Sequence, residues 1–189
     1  IHLHVEDTQN HLVIERFDRD NQDNKIHICS ASGLMHKDIS VANVMSYEEL
    51  FAFTNKICSK QADVKELYKR MIFNALSFNV DDHAKNFEFM MNKYGDWSLS
   101  PAFDITYSKG VVRAHITSIN GKNEDFVIDD FLSIAKKNLI SEKEALKIID
   151  TVSNKLLEFG QRARKLNIDE NTIHECEENI KQQRSLLKP

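Results

Sequence analysis

The sequence predicts an α+β domain that is mainly α-helical, and three observations carry that prediction. Only 5 glycines and 2 prolines interrupt 189 residues, too few for the turn density of an all-β chain. Two segments alternate apolar and polar residues around polar turns, as hairpins do. Three stretches carry apolar residues at helical spacing behind a Ser or Asp followed three residues later by Glu. A chain of this length forms one core, burying roughly 70% of the surface exposed when unfolded.

In chain order, Ile1, Leu3 and Val5 alternate with His2 and His4, and Leu12-Val13-Ile14 follow a polar turn at 6–10, which predicts a hairpin running into Glu15-Arg16-Phe17-Asp18-Arg19. Residues 19–25 form a solvated loop. The apolar stretch 26–35 shows no period that assigns its type, and 36–45 is irregular. Ser46 with Glu49 caps a helix carrying Leu50, Phe53 and Ile57. Asp63 with Glu66 opens a second helix. Its apolar stripe is Val64, Leu67, Tyr68, Met71, Ile72, Ala75 and Leu76, and it ends near Phe78.

Phe87, Phe89 and Met91 alternate ahead of a turn at 92–96, and Trp97-Ser98-Leu99 alternates again, so a second hairpin ends at Pro101 and places Asp104 just beyond a strand. Loops follow to residue 125, with one short strand at His115-Ile116-Thr117. Three helices close the chain: one around Phe131, Leu132 and Ala135; one capped by Ser141 that carries Leu146, Ile149, Val152, Leu156 and Phe159; and one over 170–186.

The formal net charge of -4 provides no basic footprint for nucleic acid, and direct nucleic-acid binding is not expected. No apolar run reaches the length of a membrane span, and the first twenty residues are too polar for a signal peptide, which places the protein in the cytoplasm. Three cysteines, Cys29, Cys58 and Cys176, are an odd number without metal-ligand spacing, so reduced, buried thiols are expected.

The densest polar stretch is Asn79-Val80-Asp81-Asp82-His83-Ala84-Lys85-Asn86-Phe87. Asp81 precedes Asn86 by the same step that separates base from metal-binding asparagine in the kinase loop H-R-D-x-x-x-x-N. A loop leaving a helix can aim one carboxylate at a hydroxyl while the carboxamide oxygen meets a metal, and Asp104 after the hairpin supplies a second ligand. Magnesium takes hard oxygen ligands and keeps several waters, so this pair with phosphate oxygens suffices. Lys85 would neutralise phosphate charge. Read singly, these residues have plainer roles: Asp81 and Asp82 in a solvated helix-end loop, His83 as a structural histidine, Lys85 on the surface, Glu15 and Phe17 as a strand pair, and Asp104 in a turn.

That stretch, with Leu99-Ser100-Pro101-Ala102-Phe103-Asp104-Ile105 and the earlier Val13 to Arg19, resembles the HipA family of bacterial serine/threonine kinase toxins. The resemblance implies a protein-kinase-like C-terminal lobe over 1–189, with 1–25 as hinge strands and loop and 26–189 as the helical lobe. It implies ATP and Mg²⁺ as cofactors. Asp81 would be the catalytic base, and Asn86 and Asp104 would hold the metal. His83 and Lys85 would lie against the phosphates, Glu15 and Phe17 would present backbone to adenine, and Phe103 would pack beside the nucleotide in place of the family's tyrosine. It also implies a protein substrate, an aminoacyl-tRNA synthetase among the candidates, and a HipB-like DNA-binding antitoxin as partner. No lysine precedes Lys25, so the phosphate-covering loop and strand lysine of a complete kinase are expected on an N-terminal lobe before Ile1 or on a companion chain. Two alternatives stand beside this reading. One is a magnesium-dependent phosphodiesterase or nuclease built on Asp81, Asp82, His83 and Asp104. The other is an inactive pseudokinase or antitoxin-docking module.

Overall fold

A computed structural model describes residues 2–6, 9–41, 43–108 and 114–187. The start at Ile1, the predicted turn at Asp7 and Thr8, and positions 109–113 of the predicted loop lie outside the described residues. Strands β1 (His2–Glu6) and β2 (Gln9–Val13) pair antiparallel, with His2 opposite Val13 and Glu6 opposite Gln9, so the predicted hairpin is present. It stops earlier than expected. β2 ends at Val13, and Glu15 and Phe17 lie in irregular chain and a turn. Asp18 sets that turn: Arg16 and Arg19 both pair with its carboxylate, and the Ile26 amide donates to its carbonyl.

The segment without an assigned period contains β3 (His27–Ser30) and the one-turn helix α1 (Ala31–Leu34). β3 pairs with β4 (Glu88–Met91), which pairs with β5 (Trp97–Leu99), making a three-stranded antiparallel sheet in the order β3-β4-β5. The hairpin β4-β5 was predicted; its third strand comes from a distant part of the sequence. No strand forms at His115-Ile116-Thr117, where only isolated bridges at Ser118 and Ile119 appear.

Helix α3 (Gln61–Ser77) is the axis of the lobe. All seven residues of its predicted stripe are no more than 1% exposed, each large one contributing about 1.5–3 kcal/mol of burial. They pack against α2 (Tyr47–Ile57), α5 (Glu142–Leu156) and α7 (Glu170–Leu186). The Ser46–Glu49 capping box on α2 has both of its hydrogen bonds. The predicted cap of α3 does not form. Lys60 holds the N-cap position without a side-chain bond, and Asp63 Oδ1 instead accepts from the Leu99 amide at 2.9 Å, tying the first turn of α3 to β5.

Helix α4 (Ile128–Lys137) is fixed to α3 by the Tyr68 hydroxyl, which donates to the Phe131 carbonyl at 3.1 Å. Phe159, expected on the same helix as Leu156, starts a separate helix, α6 (Phe159–Lys165), because the chain turns at Leu157 and Glu158. Among the described residues Cys29, Cys58 and Cys176 form no disulfide; Cys58 and Cys176 are buried as expected, whereas Cys29 is only partly so. Among the described residues no helix is long and apolar enough to cross a membrane.

Asp130 anchors the entrance to α4. Its nearly buried carboxylate accepts from Asn120 Nδ2 at 2.9 Å, Lys122 Nζ at 2.8 Å and the Val127 amide at 2.9 Å. Burial pushes this carboxyl upward, but the bonds from Asn120, Lys122 and Val127 outweigh it and hold it below the ordinary carboxylate range. A depressed folded value stabilises the fold above the unfolded value of about 3.9 and ceases to do so as pH falls through the folded value. Asp130→Asn is therefore expected to flatten the acid limb of a stability-against-pH curve measured by urea unfolding, leaving the limb above neutrality unchanged.

Candidate active site

The loop 79–87 owes its position to the end of α3. Phe78 adopts the left-handed conformation at φ 61°, a bulky residue where glycine is usual. Its amide and that of Asn79 both donate to the Asn74 carbonyl. Helix α3 thereby stops and turns the chain toward the sheet. Phe87, 2% exposed and edge-on to Tyr47 at 5.7 Å between ring centres, pins the far end.

Within the loop the two neighbouring aspartates diverge. Asp81 is more than half exposed, with His83 Nε2 at 3.9 Å from its Oδ1. Asp82 is 1% exposed. It accepts from the Tyr47 hydroxyl, His115 Nδ1 and the Thr117 amide, each at 3.1 Å, and the Thr117 hydroxyl donates to its carbonyl. A chain of donors converges on this carboxylate. Asn79 Nδ2 donates to Asn74 Oδ1, Asn74 Nδ2 to Tyr47 Oη, and Tyr47 to Asp82. Burial and the Asp82 carboxylate push the Tyr47 phenol far upward, so it remains a donor. Such a network is fully directional, and it holds the loop's inner side rigid.

Asn86 faces the other way. Its Nδ2 donates to the Asp81 carbonyl at 2.9 Å, closing the loop on itself and fixing which end of the carboxamide is spent. Oδ1 is then the free end, a hard acceptor for a cation. Asn86, Phe103 and Asp104 line one small cavity floored by Arg70, Asn79 and Asp82. No side-chain hydrogen bond within the described residues occupies the Asp104 carboxylate, and this residue lies in the left-handed region at φ 50°. No three His, Cys, Asp or Glu side chains converge among the described residues. One carboxylate and one carboxamide oxygen, with a nucleotide's phosphates and water completing the shell, is a donor set that suits magnesium.

The remaining predicted positions divide. Phe17 and Phe103 come together, their rings 5.8 Å apart, so the segment after β2 meets the segment bearing Asp104. Glu15 is exposed. Among the described residues, no main-chain hydrogen bond is made by Glu15 or Phe17. Lys85 is exposed on the 3-10 turn Ala84–Asn86 and is not among the residues lining the cavity. His83 presents Nε2 toward Asp81 while its Nδ1 is buried without a partner.

Sequence reasoning missed Arg70, Tyr47, His115 and Thr117. Arg70 Nε pairs with Glu66, and its Nη2 donates to the Ser100 carbonyl. It therefore anchors the start of the segment that delivers Asp104. Tyr47 was one residue past a recognised cap, and no local pattern distinguished it. Further along that segment, Tyr107 Oη is held from α7, donating to Glu175 and accepting from Asn179.

A solved chain from the Shewanella oneidensis MR-1 toxin-antitoxin system HipA, HipB and operator DNA complex superposes with a TM-score of 0.74 at 15% identity, over 96% of this chain and 50% of that one. This likeness gives the fold, a kinase-like C-terminal lobe of mixed α and β structure. The chain belongs to the HipA-like C-terminal domain family, which matches residues 1–158. A Haemophilus influenzae (strain Rd) protein named "Putative kinase" is 31% identical over 108 residues, covering 51% of this chain and 32% of that protein. The chain thus spans about half of the solved chain and a third of the curated relative. Helices α6 and α7 lie beyond the family match.

Proposed function

We propose that this chain is the C-terminal lobe of an ATP-dependent serine/threonine protein kinase acting as the toxin of a bacterial toxin-antitoxin system. Residues 1–189 form one such lobe, with 1–25 toward the hinge. The observation that carries the reading is the pairing of Asn86 and Asp104 on one cavity, with the Asn86 amide end consumed by the Asp81 carbonyl. That bond leaves an oxygen for Mg²⁺ and couples the metal-binding residue to the backbone of the base. Asp81, exposed and beside His83, accepts the proton of a substrate hydroxyl. Mg²⁺, when bound with ATP, neutralises charge on the phosphates. His83, and Lys85 from the exposed rim outside the cavity, would approach those phosphates, the backbone at 15–17 would receive adenine, and Phe103, its ring tilted against that of Phe17, would wall the pocket.

The family relationship supports a protein substrate, with an aminoacyl-tRNA synthetase as one candidate, and a HipB-like antitoxin as partner. The phosphodiesterase reading requires Asp82 as a metal ligand. Tyr47, His115 and Thr117 already occupy that carboxylate, which disfavours it. In the intact protein, Asn86→Ala with Asp104→Ala is expected to abolish magnesium-dependent ATP binding in isothermal titration. Undiminished magnesium-dependent binding by the folded double variant would remove the metal assignment.

A further inference from the structure

We propose that His115 is a positioning residue for phosphoryl transfer: its Nδ1–H holds the Asp82 carboxylate and, through it, the backbone that presents Asp81. The inference rests on the kinase reading of the loop. Asp81 and Asp82 share a peptide unit, and their side chains lie on opposite sides of it, one in solvent and one in the core. A shift of the Asp82 backbone therefore moves the planar peptide unit that also carries the Asp81 carbonyl, and with it the main chain that presents Asp81.

The support under the loop comes from two directions. Tyr47 belongs to α2 and is fixed by the core. His115 and Thr117 belong instead to the segment downstream of Asp104. That segment meets the loop as a short seam: the Ile116 amide donates to the Val80 carbonyl at 3.1 Å, the Thr117 amide to Asp82 Oδ1 at 3.1 Å, and the Thr117 hydroxyl to the Asp82 carbonyl. The segment that carries one metal-binding residue thus also braces the loop that carries the base and the other.

His115 is the side chain of that seam that completes the carboxylate's shell. It is 5% exposed, and its ring stands edge-on to Phe126 at 5.2 Å. Its main chain is fixed independently: the His115 amide donates to the Asn123 carbonyl, and Asn123 Nδ2 donates to the His115 carbonyl. The amides of Ile116 and Thr117 make their bonds without the His115 side chain. Removing the imidazole donor alone therefore loosens the Asp82 carboxylate while leaving the seam's backbone in place.

The test uses two variants of the intact protein. His115→Phe keeps ring volume against Phe126 and deletes the donor; His115→Asn keeps an N–H at the position of Nδ1. His115→Phe is expected to lower kcat by roughly 10–100-fold, the effect of a small displacement of a reacting group. ATP affinity is expected to fall by less than kcat does, since Glu15, Phe17, Phe103 and Asp104 lie outside the loop and only His83, Lys85 and Asn86 ride on it. His115→Asn is expected to restore kcat to within about threefold of wild type. Hydrogen exchange supplies a readout independent of activity. Amides 79–86 are expected to exchange about tenfold faster in His115→Phe, with the central turns of α3 unchanged. Loop exchange at the wild-type rate overturns the inference. So does acceleration spread equally through α3, which would mark His115 as a general stabiliser, or a folded His115→Asn as slow as His115→Phe. Absence of phosphoryl transfer by the wild-type protein itself would remove the kinase reading, and the exchange pattern would then decide the His115 contact alone.

Discussion

Alanine at Asp81 is expected to lower phosphoryl transfer by about 10²–10⁴-fold, the usual contribution of a positioned general base, which corresponds to roughly 3–5 kcal/mol of barrier. Its fold is expected to be unaffected. The Asp81 side chain is 56% exposed, and an exposed substitution away from caps and buried networks changes stability by no more than about 0.5 kcal/mol. The comparison to make is the initial rate of labelled phosphate transfer by wild type and variant at matched urea midpoints. Transfer at the wild-type rate by folded Asp81→Ala would remove the base assignment.

The opposite outcome is expected one residue later. Asp82→Ala strips the acceptor from three buried donors at once, the Tyr47 hydroxyl, His115 Nδ1 and the Thr117 amide. A buried donor without an acceptor costs about 1–3 kcal/mol, and loss of one partner from a buried charged network costs about 3–5 kcal/mol in all. The urea midpoint of Asp82→Ala should fall accordingly with the slope of the transition unchanged. Asp82→Asn keeps an acceptor oxygen and should lie between. A midpoint for Asp82→Ala equal to that of wild type would mean that the buried carboxylate is not the loop's anchor. On the expected result the neighbouring aspartates differ in kind, one costing rate and the other stability.

The difference between them could be suspected from sequence, but its cause could not be read there. The five-residue step from Asp81 to Asn86 assigns Asp81 a task and leaves Asp82 without one. What Asp82 does instead depends on Tyr47, 35 residues before it, and on His115, 33 residues after it. No local period reports a contact of that span. The same limit explains β3. Its four residues are strand because Cys29 lies opposite Phe89, not because of alternation within 26–35.

Local signals succeeded where local physics decides. The α3 stripe follows the helical repeat, and each of its seven members is buried. Ser46 caps α2 because its hydroxyl and Glu49 satisfy each other's amides within one turn. Asp63 shows how such a signal misleads. The same residue spacing occurs, but the Leu99 amide competes for the carboxylate and wins. Phe159 failed for a related reason, since its helical spacing continues across a turn at 157–158 that carries neither glycine nor proline. At the site, Asn86 and Asp104 line one cavity, the proximity that a hairpin folding back after the loop leads one to expect. Lys85 takes the plainer of its two expected places, exposed on the 3-10 turn at 84–86 and outside the cavity lining.

Within its intact protein, this lobe is expected to move the γ-phosphate of ATP under magnesium. Incubation with γ-labelled ATP, with and without chelator, tests it directly. Protein-bound label on serine or threonine that requires magnesium is the predicted result. Absence of transferred label from a folded protein, or cleavage of nucleic acid under the same magnesium without ATP, would contradict it.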